Sequence, residues 1–416
     1  MFFDVFTDMK KIDYKWTALL LLWVACFLQQ GMRQIFPPLA STVGGEFGAD
    51  AAFRGSVMGV FTLVYALSVP FSGMAGDFLS RKKIVVFSLA VFSLGVLGAG
   101  WASGILGIML LYGGINGFGQ SFFYPATTSI VQQLHSENKA TALSILQLAI
   151  YLGIITFSFA SGKMLDVCGD WRVPFRVFGF VGVVWAVALA FLMRDTPLNV
   201  VSAVKPSFSS ALKAVLAKPS AVLLALGLGM QIFVDVGFKM WMPTYLEEKF
   251  PGMSKASCGL NAVLWHYLGA FAGVMIASRL SDRLVRRRPG IRMETNIAGL
   301  VLASPFILWM AKTDSFTAIC WAMGRFGFFR GVYDSNQFAS IFDVVEPRYR
   351  ASAMGMVLLF AFAFGAAAPV VMGMVKDSFG LAPAMASLAA FFAVGAVIIF
   401  IARVFFLGRD IAIRDK

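Results

Sequence analysis

Runs of about twenty apolar residues, separated by short polar turns, recur along the whole chain, and a soluble fold has no interior large enough for so many. A helix rises 1.5 Å per residue, so about 20 such residues cross the hydrocarbon layer of a bilayer. Runs of this length cover about 16–40, 53–77, 84–103, 105–132, 140–165 and 173–193. After a more polar interval they resume at about 221–246, 260–281, 293–311, 316–344, 351–374 and 384–406. The expectation is an all-α membrane protein with twelve transmembrane helices, because a spanning chain must satisfy its backbone internally. Of the 416 residues, 59% are hydrophobic and only 14% charged, well below the roughly one quarter charged in soluble domains.

A formal charge of +13 in a soluble chain would suggest nucleic acid. Here the cations sit in the turns that follow an even number of crossings, at Lys10 to Lys15, Arg81 to Lys83, Lys139, Arg283 to Arg292, Arg348 to Arg350 and Arg409 to Lys416. The alternate turns are acidic, with Glu46, Asp50, Asp166, Asp170, Glu247 and Glu248. The positive-inside rule accounts for this asymmetry, excludes a nucleic-acid partner and puts both termini in the cytoplasm. Compact loops suggest a bacterial inner membrane and a monomer. Cys26, Cys168, Cys258 and Cys320 show no paired spacing and read as packing residues, with a Cys168 to Cys258 disulfide left open. Two histidines are too few for a metal hydrolase, so no metal or cofactor is expected.

The chain reads as duplicated. Gly73 to Lys83 and Ser278 to Arg288 both close an apolar run with a small residue, an aspartate four later and a cation four after that, so Asp77 matches Asp282 and Arg81 matches Arg286. Two six-helix bundles, 1–197 and 221–416, are expected around a linker at 198–220, where Pro206 and the preceding Pro197 stop the sixth helix from continuing.

This doubled pattern resembles the loops after the second and eighth helices of the major facilitator superfamily, and the resemblance implies two pseudo-symmetric bundles with Asp77, Arg81, Asp282 and Arg286 in gating contacts. Phe78 and Ser80 stand where that pattern has arginine and glycine, and Ser278 and Val285 where it has glycines. Trp241 to Glu248, Asn116-Gly117 with Gln120 and Pro125, and Met193 to Pro197 are similar to the organophosphate:phosphate antiporters and the anion:cation symporters. Gly113 replaces an arginine of many proton-coupled drug antiporters. The paired arginines that grip phosphate in the organophosphate branch are absent: eight residues before the prolines stand Gln29 or Gln30 and Asp235. Instead Arg33 lies four before Pro37 and Lys239 four before Pro243, a cation at matching depth in each half.

An unpaired charge near a helix centre costs about 2.5–3.5 kcal/mol on insertion scales, so charges inside apolar runs need partners or a function. Asp235 and Lys239 share a face of the seventh helix with Gln231, and Arg330 and Asp334 share one of the tenth, near Asn336 and Gln337. Gln30 and Arg33 on the first helix, Asn116, Gln120 and Tyr124 on the fourth, and Gln147 and Tyr151 on the fifth add polar stripes at similar depth. Each stripe also fits plain helix-to-helix bonding. The candidate substrate ligands are Gln30, Arg33, Asn116, Gln120, Tyr124, Gln147, Tyr151, Lys239, Arg330 and Asn336. Candidate proton carriers are Asp235, Asp334 and His266.

The expected function is secondary transport of a small organic anion, such as a carboxylate, sugar acid or phosphorylated metabolite, with proton symport. A uniporter or exchanger of the same anions, a lipid or amphiphile transporter, and a transporter-like sensor stay open. No constellation with catalytic spacing suggests an enzyme.

Overall fold

The computed structural model describes residues 14–135, 137–195, 215–285, 287–288, 290–346 and 350–414, and among these the side chains other than those of 73–78, 140, 350–352 and 412–414. All regular structure in them is helical. Numbered by pass, α1 is Tyr14–Met32 resuming at Ala40–Phe47, α2 Ala51–Phe78, α3 Arg81–Ala99, α5 Lys139–Cys168 and α6 Arg172–Leu192. Between them, α4 runs through Ile105–Ile108, a π-helical stretch Met109–Ile115 and Asn116–Leu134. The second half has α7 Pro219–Lys249, α8 Lys255–Leu284, α9 Ile291–Lys312, α10 Phe316–Asp334 with Gln337–Val344, α11 Arg350–Gly365 with Ala368–Phe379, and α12 Leu381–Ile401 continuing to Arg414.

Ten of these passes are long and apolar enough to cross a membrane on those grounds alone. The other two, α4 and α10, hold the same place in each half and carry the polar load: Asn116, Gln120 and Thr127 on one, Arg325, Arg330 and Asp334 on the other. Their low hydropathy reflects polar side chains held mostly against other helices, with Arg325 on the outer flank, rather than a failure to span.

Within the first half α1 packs on α5, and α3 on α4 and α6; within the second, α7 packs on α11 and α12, and α9 and α8 pack on α10. The halves meet along α2 with α11 and α5 with α8. Hydrogen bonds gather the helix ends onto two faces. The Tyr14 hydroxyl accepts from the Arg194 amide at 2.7 Å, His135 Nε2 lies 3.0 Å from the Lys15 carbonyl, and Lys218 Nζ donates to the Val344 carbonyl at 2.8 Å. The Ser220 amide donates to Asp410 at 2.9 Å. The starts of α1 and α7 and the ends of α4, α6, α10 and α12 therefore share one face, here called the terminal face.

At the opposite face the halves are bolted together in a reciprocal way. Asp166, near the end of α5, accepts from the amides of Lys255 and Ala256 at 3.0 and 2.9 Å, capping α8. Asp377, at the end of α11, accepts from the amides of Ala51 and Ala52 at 3.3 and 3.2 Å, capping α2. Each half thus satisfies orphan donors, and complements the dipole, of a helix in the other. Ser41 donates to Glu247 at 2.7 Å, and Lys255 holds both Glu247 and Ser41. Glycine permits the close approach: a Cβ on Gly55 would lie 2.1 Å from the Pro369 carbonyl oxygen, and one on Gly162 2.4 Å from the Lys255 carbonyl carbon.

The linker expected at 198–220 falls mostly outside the described residues, as do the Asp77 side chain and Arg286. Arg81 bonds Gln133 at the end of α4, and Asp282 stands 3.6 Å from Arg292, which lies 2.6 Å from Asp343. These contacts stay within one half. All four cysteines are free, so the disulfide left open between Cys168 and Cys258 is not formed.

Candidate functional site between the halves

The break in α1 follows from Pro37 and Pro38. Neither has an amide hydrogen to donate, and each ring crowds the carbonyl four residues before it, at Arg33 and Gln34, so the α-helix stops at Met32 and resumes only at Ala40. In a continuous helix the Phe36 amide would bond the Met32 carbonyl. Here the Tyr112 hydroxyl stands between them, donating to Met32 O at 2.8 Å and accepting from Phe36 N at 3.5 Å. Tyr112 belongs to the π-helical stretch of α4 and is fully buried. Tyr112→Phe is expected to leave that carbonyl unsatisfied and to destabilise the protein by about 1–2 kcal/mol, measurable as a lowered melting temperature in detergent.

Arg33 sits in this break. Its guanidinium lies over the rings of Phe61 and Tyr65, 4.9 and 4.8 Å from their centroids, and no carboxylate pairs with it among the described residues. From the other half, Lys239 on the unbroken α7 is close enough that the two charges act on each other. Lys239 Nζ is 2.5 Å from Asp235, as the four-residue spacing implies.

The second pair is not self-contained as sequence spacing suggests. Arg330 reaches across to α7, with Nη1 2.8 Å from Asp235 in an ion pair that lacks hydrogen-bond alignment, and is only 3.4 Å from its own Asp334. Gln231 adds a 3.4 Å bond to Asp334. The result is one chain of charge, Lys239, Asp235, Arg330 and Asp334, whose side chains are 11–22% exposed and so border a space rather than a packed core.

His266 packs against Phe238 and Phe326, fully buried, with Nε2 2.5 Å from Arg330 Nη1. Arginine can only donate, so Nε2 accepts and the proton of a neutral ring is assigned to Nδ1, which has no partner. His266 therefore orients Arg330. Tyr267 packs on Tyr151 across the halves at 5.4 Å, and Tyr151 lies one turn from Gln147 on α5. Tyr65 meets Phe362 at 5.2 Å. Tyr124 is 37% exposed near Tyr65 and Tyr151, and Gln30 is half-buried.

Three sequence candidates lie elsewhere. Asn116 and Gln120 are fully buried in an amide chain, Gln29 to Gln120 at 3.2 Å and Gln120 to Asn116 at 2.8 Å, which ties α1 to α4. Asn116 and Gln120 thus face a helix contact, not the space beside Lys239. Asn336 is buried in the turn that interrupts α10 and donates to Ser281 of α8 at 2.8 Å. Gln120 and Asn336 are hidden because their amides bond a neighbouring helix, and Asn116 because it is tied to Gln120, the alternative that polar stripes always carry. No metal-binding group of three His, Cys, Asp or Glu occurs among the described residues.

The sequence profile of the Major Facilitator Superfamily matches residues 22–324, most of the chain. The chain belongs to this superfamily. It is 27% identical over 366 residues to human protein spinster homolog 1, covering 80% of this chain and 67% of that one. It is 26% identical over 309 residues to the cis,cis-muconate transport protein of Acinetobacter baylyi, covering 70% and 71%. The crystal structure of a bacterial homolog of the human lysosomal transporter spinster, inward-facing and unoccupied, superposes with a TM-score of 0.84 at 21% identity over 96% of this chain and 99% of the other. A superfamily member with this fold is a membrane transporter rather than an enzyme.

Proposed function

We propose that this transporter carries a small organic anion, a carboxylate, sugar acid or phosphorylated metabolite, in symport with protons. The observation that carries the reading is a charge imbalance between the halves. Arg33, Lys239 and Arg330 face one another across the site, and Asp235 and Asp334 compensate only two of these three cations. An anion supplies the missing charge and bridges Arg33 of one half to Lys239 of the other. Cis,cis-muconate, for which the Acinetobacter baylyi relative is named, is a dicarboxylate and fits this chemistry.

Alternating access follows from bundles 1–197 and 221–416 rocking about this midplane site. The positive-inside rule supports a cytoplasmic terminal face, and in this reading, with a bacterial inner membrane as the compartment, the bolted face looks outward and the site is reached from inside. Asp235 lies between two cations and acts as a clamp, whereas Asp334 has one, at 3.4 Å, and forfeits less compensation on taking a proton. When an anion engages Lys239, Asp235 relies on Arg330 instead, and Asp334 is the carboxylate left to be neutralised. Substrate and proton then load together.

The test is uptake into proteoliposomes. Arg33→Gln is expected to weaken anion binding by about 10–100-fold, the worth of one hydrogen bond to a charged group. Asp334→Asn is expected to keep anion exchange and lose accumulation driven by a pH gradient. Accumulation that survives Asp334→Asn would assign coupling elsewhere, with Asp235→Asn the next variant. Stabilisation by neutral sugars but by no anion would overturn the substrate reading.

A further inference from the structure

Arg325 is a membrane-embedded cation that the central site does not use. It lies five residues before Arg330 on α10, about 140° around the helix from it at 100° per residue, and is exposed on the outer flank of the bundle. It has no hydrogen bond or ion pair among the described residues. Three rings frame its guanidinium instead: Phe306 and Trp309 of α9 at 6.0 and 5.6 Å, and Trp321 of α10 at 5.2 Å. The two tryptophans are themselves 40% and 61% exposed.

The depth of this frame is informative. Phe306 and Trp309 stand six and three residues before Lys312, the last of α9, which places the guanidinium about 5–9 Å below that helix end. That is the level at which tryptophan belts mark the boundary between headgroups and acyl chains, and to which arginines extend. Leu308, next to Trp309, begins a groove of about 460 Å³ between α9 and α12, lined chiefly by apolar side chains including Ile297, Val301, Ala393, Val397 and Phe400. From Leu308 to Ile297 the groove descends along eleven residues, about 17 Å, roughly the depth of one leaflet. A bare cation at headgroup level thus stands on the α10 side of α9, and an apolar channel descends from the same level on the α12 side of that helix.

We propose that Arg325 holds the phosphate of a glycerophospholipid in the leaflet at the bolted face, with one of its acyl chains lying in the α9–α12 groove. The planar guanidinium fits two phosphate oxygens with parallel hydrogen bonds, a geometry that a neutral lipid does not offer. The aromatic frame holds the guanidinium by cation–π attraction and leaves its hydrogen-bonding edge free for an anion. The site lies apart from the central charges and does not depend on what is transported.

The experiment is native mass spectrometry of delipidated protein in detergent, titrated separately with phosphatidylglycerol, with the diacylglycerol bearing the same chains, and with oleate. Wild type is expected to bind phosphatidylglycerol about tenfold more tightly than diacylglycerol, in keeping with a charge-assisted contact. Arg325→Gln should remove that preference, and Arg325→Lys should retain part of it. Ala393→Phe, which fills the groove without altering charge, should weaken both lipids together. Equal phosphatidylglycerol binding in wild type and Arg325→Gln, or no effect of Ala393→Phe, would overturn the proposal. Oleate bound as tightly as phosphatidylglycerol would also overturn it, by assigning the seat to a fatty acid.

Discussion

Replacing Arg330 with methionine is expected to lower the melting temperature of the purified transporter by about 6–12 °C. Arg330 is shared by Asp235, Asp334 and His266, so its removal leaves Asp334 with only the weak amide bond from Gln231 and His266 with no donor. Breaking a buried ion pair by removing one partner costs about 3–5 kcal/mol, and the partial exposure of both carboxylates points to the lower end. About 3 kcal/mol in a unit of this size shifts the midpoint by about 2–4 °C per kcal/mol. The double variant Arg330→Met, Asp334→Asn tests the cause: neutralising the stranded carboxylate should recover a substantial part of the loss, a coupling that independent sites would not show. A double variant no more stable than the single one would mean that Asp334 is not what Arg330 holds.

The second large effect concerns the bolted face. Gly55→Leu and Gly162→Leu each place side-chain atoms where a neighbouring backbone already stands, across the α2–α11 and α5–α8 contacts respectively. Overpacking of this kind costs about 1–3 kcal/mol, and here the cost falls only on the conformation in which the halves are closed at that face. A difference of that size changes the ratio of the two conformations by about 5–150-fold. Transport should fall by at least about fivefold, because the cycle must revisit the disfavoured state. Spin labels at Ala49→Cys and Ser378→Cys, with native cysteines removed, flank this seam and should report a longer distance in the Gly55→Leu background. An unchanged distance with wild-type transport would show that the glycine contacts do not define the closed state.

How far the sequence reaches is clear from particular residues. The passes were legible because each must be apolar over its own length, and the positions of α4 and α10 were legible although their polar faces depress their hydropathy. The Asp235 and Lys239 pair was legible too, since four-residue spacing is a local geometry. The contact of Arg330 with Asp235 was not, because nothing local says that α10 faces α7 at that height. Asn116 and Gln120 resemble substrate ligands in sequence, and their burial against Gln29 depends on how α1 and α4 pack. Pro37 and Pro38 announce a break in α1, yet the tyrosine that fills it lies 76 residues from Phe36. Asp166 and Asp377 look like ordinary solvated acids at helix ends; only the assembled halves turn them into caps for one another.

On the anion reading proposed above, the two cations assigned to the guest have unequal mechanical standing. Lys239 rides on a continuous helix, whereas Arg33 stands in a gap whose missing rung is supplied by a hydroxyl borrowed from α4. A rod and a joint respond differently to the same pull. Guests of differing length would be met by yielding on the side of the joint, with the rod as the fixed datum against which they are measured, so the ancestral duplication has left a vice with one moving jaw.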